Sequence, residues 1–208
     1  IASEKYAKKI DGLTNTIVKP LLQCTDSKLF YPNENSDCAE DILFVGNTRG
    51  VFRTIVQDIS KTSYDFSVYG TGDWVNFIDI SHFKGEFIPN NYLSQYYSST
   101  KILLNDHWED MRLNDFPSNR LFDAFASEAF IISDDIPIAK TLFKSNLVTY
   151  KNVDDLIEKI DYYLNHDKKR MLKAKRGREI VLKQHTFNKR VKTIVDMCLS
   201  KGLYVILN

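Results

Sequence analysis

The sequence has 208 residues and 24.1 kDa, is 43% hydrophobic and 26% charged, and holds only 8 Gly and 5 Pro, which excludes a disordered, collagen-like or low-complexity chain. A chain of this length buries roughly 70% of its unfolded surface and needs no disulfide or structural metal to hold a core. Its formal charge of 28 − 27 = +1 gives no overall field toward nucleic acid, and no apolar run approaches the roughly 20 residues that span a bilayer.

Residues 1–40 begin with a polar, helix-like stretch, pass through the strand-like run Thr16-Ile17-Val18-Lys19-Pro20-Leu21, and end in a Pro/Asn-rich segment. The pattern reads as the end of another unit followed by a linker. Ile1-Ala2-Ser3-Glu4-Lys5 has neither a signal nor a transit pattern, and without an initiator Met it reads as a truncated start. From residue 41 onward, short β-branched or aromatic runs alternate with amphipathic stretches, the rhythm of an α/β domain on a mainly parallel sheet. The predicted strands are 41–46 and 65–70, each stopped by a glycine, then 86–88, 101–105, 129–133 and 147–150. Between them the spacing predicts helices over 50–60, 90–98, 118–127 with Ser118 as N-cap, and 138–144, and leaves 106–117 as a polar loop. Asn152 caps a further helix to about residue 164, and helices over 168–184 and 187–199 close the chain. Residues 41–184 thus make the main domain and 185–208 a C-terminal helix and tail.

Charge is uneven within this frame. From His166 to Lys192 there are 11 Lys/Arg against Asp167 and Glu179, a local balance of +9 that suits a solvated helix face, an anionic membrane surface or a partner domain. Three cysteines, Cys24, Cys38 and Cys198, form no CxxC pair, which implies reduced thiols and a cytoplasmic location. Peripheral contact with the inner membrane surface through residues 168–192 is the extension of that reading.

In a doubly wound sheet, ligands bind outside the carboxyl ends of the strands. The loop Gly46-Asn47-Thr48-Arg49-Gly50, with Arg53 one turn on, offers close backbone approach and bidentate phosphate donors; a glycine-bounded turn with solvated arginines fits it as well. It matches neither a Walker A loop nor GxGxxG. Tyr69-Gly70-Thr71-Gly72-Asp73-Trp74 offers two glycines and an indole for stacking on a sugar or base, or for plain packing. The densest polar stretch holds His107, Glu109, Asp110, Arg112, Asp115, Asn119, Arg120 and Asp123. Arg120 and Asp123, three apart on one helix, suit phosphate and ribose, and equally a surface salt bridge. There is no Asp-x-Asp, and the adjacent pairs Asp134-Asp135 and Asp154-Asp155 diverge too much to chelate one cation, so no metal is expected.

Several of these motifs, in this order, resemble the donor-binding domain of GT-B glycosyltransferases, in the group 1 branch related to the spore maturation protein CgeB. They are Val45-Gly46-Asn47 with Arg53, Tyr69-Gly70, residues 96–105 (YYSSTKILLN), Asp110-Met111-Arg112, residues 119–127 (NRLFDAFAS), and His185-Thr186-Phe187 with Arg190. The resemblance covers 41–190 and implies a Rossmann-like parallel sheet flanked by helices, the C-terminal half of a GT-B fold. It makes 21–32 (LLQCTDSKLFYP) the interdomain linker and 1–20 the end of a largely missing N-terminal, acceptor-binding domain. The implied ligand is a nucleoside diphosphate sugar, bound as substrate with no cofactor. Arg49, Arg53 and Arg120 would meet the diphosphate, Asp123 the ribose as partner of Asp115 in an E-x7-E-like element, and Asn119 the sugar or phosphate. Gly46, Asn47, Tyr69 and Gly70 would complete the pocket. Glu128 departs from the pattern, because relatives carry glycine there, and a charge near the pyrophosphate would repel a donor. That departure keeps open a second reading, a non-catalytic nucleotide- or glycan-binding module.

Overall fold

Each strand-forming run is followed by a crossover that returns the chain to the same end of the sheet, so the strands pair in parallel. The computed structural model describes residues 1–202, and the expected tail from 203 to 208 lies outside them. The strands are β1 (Ile42–Val45), β2 (Ser67–Tyr69), β3 (Phe83–Gly85), β4 (Ile102–Asn105), β5 (Ile131–Ser133) and β6 (Val148–Thr149). They form one parallel sheet in the order β3-β2-β1-β4-β5-β6, which puts the topological switch between β1 and β4. The fold is the Rossmann-like α/β architecture that the sequence pattern implies.

Side chains alternate between the two faces of the sheet. Ile42, Phe44, Val68, Ile102, Leu104 and Ile132 enter a core covered by α2 (Thr54–Ile59) and α7 (Val153–Leu164). Leu43, Leu103 and Ile131 face α3 (Asn90–Ser99), α5 (Asn119–Ala126), α6 (Pro137–Phe143) and α8 (Asp167–Gln184). Helices α5 and α8 approach closely at Gly177, where an added Cβ would stand 2.2 Å from the Phe125 ring. No described helix is long and apolar enough to cross a membrane.

Four expected elements differ. The third strand lies at 83–85, three residues early: Tyr69 pairs with Gly85, while Phe87 of the expected run is 73% exposed and has no core to enter. The helix after β1 starts at Thr54, because Arg49 and Gly50 hold left-handed backbone angles (φ 52° and 73°) that no helix continues through. The polar loop contains α4 (Glu109–Asn114), with acidic residues in its first turn and Asp115 closing it at φ 58°. Residues 16–21 form no strand. Instead, α1 (Glu4–Asp11) docks on the end of α4, with the Ser3 hydroxyl donating to the Asn114 carbonyl (2.5 Å) and Lys5 Nζ to the Leu113 carbonyl (2.7 Å).

The basic run divides between two roles. Arg170 is buried and donates to the Tyr163 carbonyl (2.7 Å), Arg178 donates to the Ala126 carbonyl (3.2 Å), and Lys173 reaches the Ser145 carbonyl. Lys168, Lys169, Lys175, Arg176, Lys183, Lys189 and Lys192 are exposed.

Glu128 ends α5 in a Schellman arrangement: Ala129 N donates to Ala124 O (2.9 Å), Glu128 N to Phe125 O (3.0 Å), and Glu128 takes φ 62°. This is the position where a glycine relieves the clash of Cβ with the backbone. It also precedes β5, at the amino end of the sheet. The charge therefore stands at the opposite end of the sheet from the strand-terminal loops. Glu128→Gly is expected to stabilise the fold by about 1 kcal/mol, raising the melting temperature by about 2–4 °C. A lower melting temperature in calorimetry would show that the side chain contributes more than its strained backbone costs.

Candidate functional site

At the carboxyl end of β1 the backbone is packed too tightly for side chains. Gly46 N donates to the Tyr69 carbonyl (2.8 Å), and its own carbonyl accepts Trp74 Nε1 (2.7 Å). A Cβ on Gly70 would stand 2.1 Å from that carbonyl, and one on Gly46 would stand 2.6 Å from Arg120 Nη2. Trp74 is wholly buried edge-on against Phe44, so its indole packs the core and presents no stacking face. The loop that follows is tied internally: Asn47 Oδ1 accepts Thr71 N (3.2 Å), Thr48 Oγ1 donates to Asp73, and Gly50 N donates to Thr48 Oγ1 (3.1 Å).

The three arginines expected together have different surroundings. Arg53 is buried and holds Asp106 in a fork, with Nε donating to Oδ2 at 2.9 Å and Nη2 to Oδ1, and it stacks 3.8 Å from the Trp108 ring. Its charge is already answered by Asp106, unlike that of Arg120. Burial pushes the Asp106 carboxyl above the usual carboxylate range, and Arg53 opposes that push. Arg49 is exposed on the other approach to Trp108, 4.9 Å from the ring. Arg120 rises from the first turn of α5 into the β1/β4 crevice, where Nη1 donates to Asn105 Oδ1 (2.9 Å) over the Phe44 ring. Ser118 precedes α5 without a side-chain cap, so the first-turn amides have no hydroxyl partner.

Asp123 forms no salt bridge with Arg120; one turn away, Asn119 Nδ2 donates to its Oδ2 (2.7 Å). Burial pushes its carboxyl up to about 7, with the neighbouring Thr25 and Asn119 side chains opposing. Asp115 lies apart: its Oδ1 accepts Ile138 N (3.0 Å) and ties the end of α4 to α6. The Tyr69 ring packs edge-on to Tyr96 at 5.2 Å. Arg190, on α9 (Phe187–Leu199), donates to the carbonyls of Leu22 (2.6 Å) and Gln23 (2.7 Å) and to His185 Nδ1 (2.6 Å). Thr25 N donates to the His185 carbonyl (3.0 Å), so this clamp seats the 22–25 segment beside Asp123. Burial, then Arg190, pull His185 down to about 4 and keep it neutral.

Sequence reasoning missed a buried network at the ends of β4 and β5. It joins Asn105, Ser133, Asp134 and His107, and its only outward signal is the polar residue that ends each strand. Among the described residues no group of three or more His, Cys, Asp or Glu is placed to hold a metal ion.

A family model described as glycosyl transferase-like matches residues 49–196. The spore protein CgeB of Bacillus subtilis (strain 168) is 28% identical over an alignment of 111 residues that covers 49% of this chain and 34% of that protein. Among solved structures, sucrose-phosphate synthase of Thermosynechococcus elongatus superposes with a TM-score of 0.70 at 13% identity, over 95% of this chain and 57% of that one. T4 phage BGT in complex with its UDP-glucose substrate superposes at 0.60 and 18% identity, over 85% and 52%. The chain thus spans about a third of the curated relative and little more than half of these structures.

The Asp123 environment has a consequence for stability. With its folded pKa raised to about 7, the carboxyl is neutral in the folded protein but charged in the unfolded one between the ordinary carboxylate range and pH 7. The folded state binds more protons there, so this group's contribution falls as pH rises through that window. Asp123→Asn is expected to raise the melting temperature at pH 8 more than at pH 5. An equal change at both would mean that the carboxylate is solvated in the folded protein.

Proposed function

Because this chain belongs to the glycosyl transferase-like family, we propose that it binds the nucleoside diphosphate of a sugar donor and serves as the donor half of a glycosyltransferase. The observation that carries this reading is Arg120, a cation held in the crevice between Gly46 and Asn105 at the switch point of the sheet, with Asp123 and Asn119 on the same helix. Arg120, the first-turn amides of α5 and the exposed Arg49 meet the diphosphate. Asp123 takes the ribose hydroxyls, Asn119 orients that carboxylate, and the backbone of Gly46, Asn47 and Gly70, with Tyr69, forms the wall. Asp115 acts indirectly, by fixing α4 against α6. As the bond to the sugar breaks, charge grows on the leaving diphosphate and the fixed cations stabilise it. The acceptor-binding half and the catalytic base come from a domain to which residues 1–40 lead. A non-catalytic binding module loses its main support, because Glu128 lies at the far edge of the sheet.

UDP is the first probe, since a structural neighbour is solved with UDP-glucose. Calorimetric titration separates the roles. Arg120→Ala is expected to weaken UDP by about 1–3 kcal/mol and uridine far less. Asp123→Ala should weaken UDP and uridine alike by a similar amount, because its partner is the ribose. Unchanged UDP affinity in both variants would remove the site from α5. With arginines as the cations, UDP affinity is expected to persist in excess EDTA. Loss on chelation and recovery with magnesium would move the diphosphate to the acidic stretch 106–115.

A further inference from the structure

Arg120 is held in place by a chain of groups behind it. Its Nη1 donates to Asn105 Oδ1 (2.9 Å), Asn105 Nδ2 donates to Ser133 Oγ (2.8 Å), and Ser133 Oγ donates to Asp134 Oδ1 (3.0 Å). Asp134 also takes His107 Nδ1 on Oδ1 (2.6 Å) and the His107 amide on Oδ2 (3.1 Å). Asn105 and Ser133 are fully buried. From Arg120 to Asp134 every bond points the same way, and the His107 bonds meet Asp134 from the other side. A carboxylate has only acceptors, so Asp134 obliges the Ser133 hydroxyl to donate toward it, leaving the lone pairs of that oxygen for the Asn105 amino group. The Asn105 carbonyl must then face Arg120. Turned over, the amide would set its own N–H groups against the guanidinium, a donor-to-donor conflict at a residue that is fully buried.

We propose that Asp134 and Ser133 are positioning residues for the diphosphate site, fixing through Asn105 the direction in which Arg120 presents its guanidinium. The proposal rests on the reading of Arg120 as the diphosphate cation. It also explains why polar residues end two adjacent strands otherwise built of Ile and Leu: a core residue at position 105 or 133 would leave the guanidinium over Phe44 with only the neighbouring Tyr97 side chain to aim it. The His107 bonds hold the Asp134 carboxylate at the terminus of the chain and require a true carboxylate there. An Asn at 134 has one acceptor for two donor-bearing sides, so either the His107 amide or the Ser133 and His107 Nδ1 side meets an amino group.

Three variants and two measurements test this. In Asp134→Asn and Ser133→Ala, UDP affinity measured by calorimetry is expected to fall about tenfold and uridine affinity less than twofold, as befits a misdirected charge-assisted hydrogen bond to phosphate. Ser133→Thr, which keeps the hydroxyl, should retain most of the UDP affinity. Equal losses for UDP and uridine would mark a general packing defect, and unchanged UDP affinity in folded variants would dismiss the relay; either result overturns the proposal. The second measurement needs no ligand. The nitrogen-15 signals of the Arg120 guanidinium should show hindered rotation in the wild type and free rotation in Asp134→Asn. Identical rotation in the two proteins overturns the relay whether or not UDP binds, whereas hindered rotation without UDP binding counts against the nucleotide reading alone and supports the relay.

Discussion

A missing side chain and a long one share the same few ångströms at the end of β1. Because Gly46 carries no Cβ, the Arg120 guanidinium can lie in the crevice where neighbouring strands diverge, 2.6 Å from where that Cβ would be. Everything nearby follows from accommodating a cation there. Phe44 lies beneath it and Asn105 accepts from it, and burial pulls its pKa down while Tyr97 and Asp106 oppose that shift. A cation so placed without a full counter-charge is costly in a structural protein and useful at a site that receives an anion. The contrast is Arg53, whose fork on Asp106 neutralises it and whose stacking on Trp108 braces the loop carrying Arg49.

The same logic separates the carboxylates. Asp106 answers an arginine and Asp115 a helix amide, so each is held by the scaffold. Asp123 is half-buried, with the Asn119 amide donating to it and the Thr25 side chain beside it, and desolvation raises its pKa despite both. The clamp of Arg190 on residues 22 and 23 brings the segment entering the domain and the last helix to this one point. Residues 22–25 and the start of α9 thus meet beside the proposed ribose carboxylate.

Much of this was legible in the sequence because the central strands are short hydrophobic runs bounded by glycine or polar residues, a pattern with few alternatives. The edge strand was not: Phe83-Lys84-Gly85 has one apolar side chain, and its pairing with β2 is set by backbone bonds such as Gly70 N to the Gly85 carbonyl (3.0 Å). Helix α4 hid in its own polarity, since an exposed helix of six residues shows no apolar periodicity. Arg120, Asp123 and Asn119 could be singled out because they fall on one helix start. That Arg53 belongs to Asp106, 53 positions away, and that Asn105 belongs to Arg120, could not, because those partnerships arise only when β1 and β4 lie side by side.

The central claim is a location, the carboxyl edge of the sheet at the β1/β4 crevice. Titrating UDP into the nitrogen-15-labelled chain and following backbone amide shifts tests it most directly. The account predicts the largest shifts at Gly46, Asn47, Asn105, Asn119 and Arg120, with little change at Glu128, Lys101 and Arg170 on the opposite edge. Shifts concentrated around Glu128 and Arg170, with the amides of Gly46 and Arg120 unmoved, would contradict it.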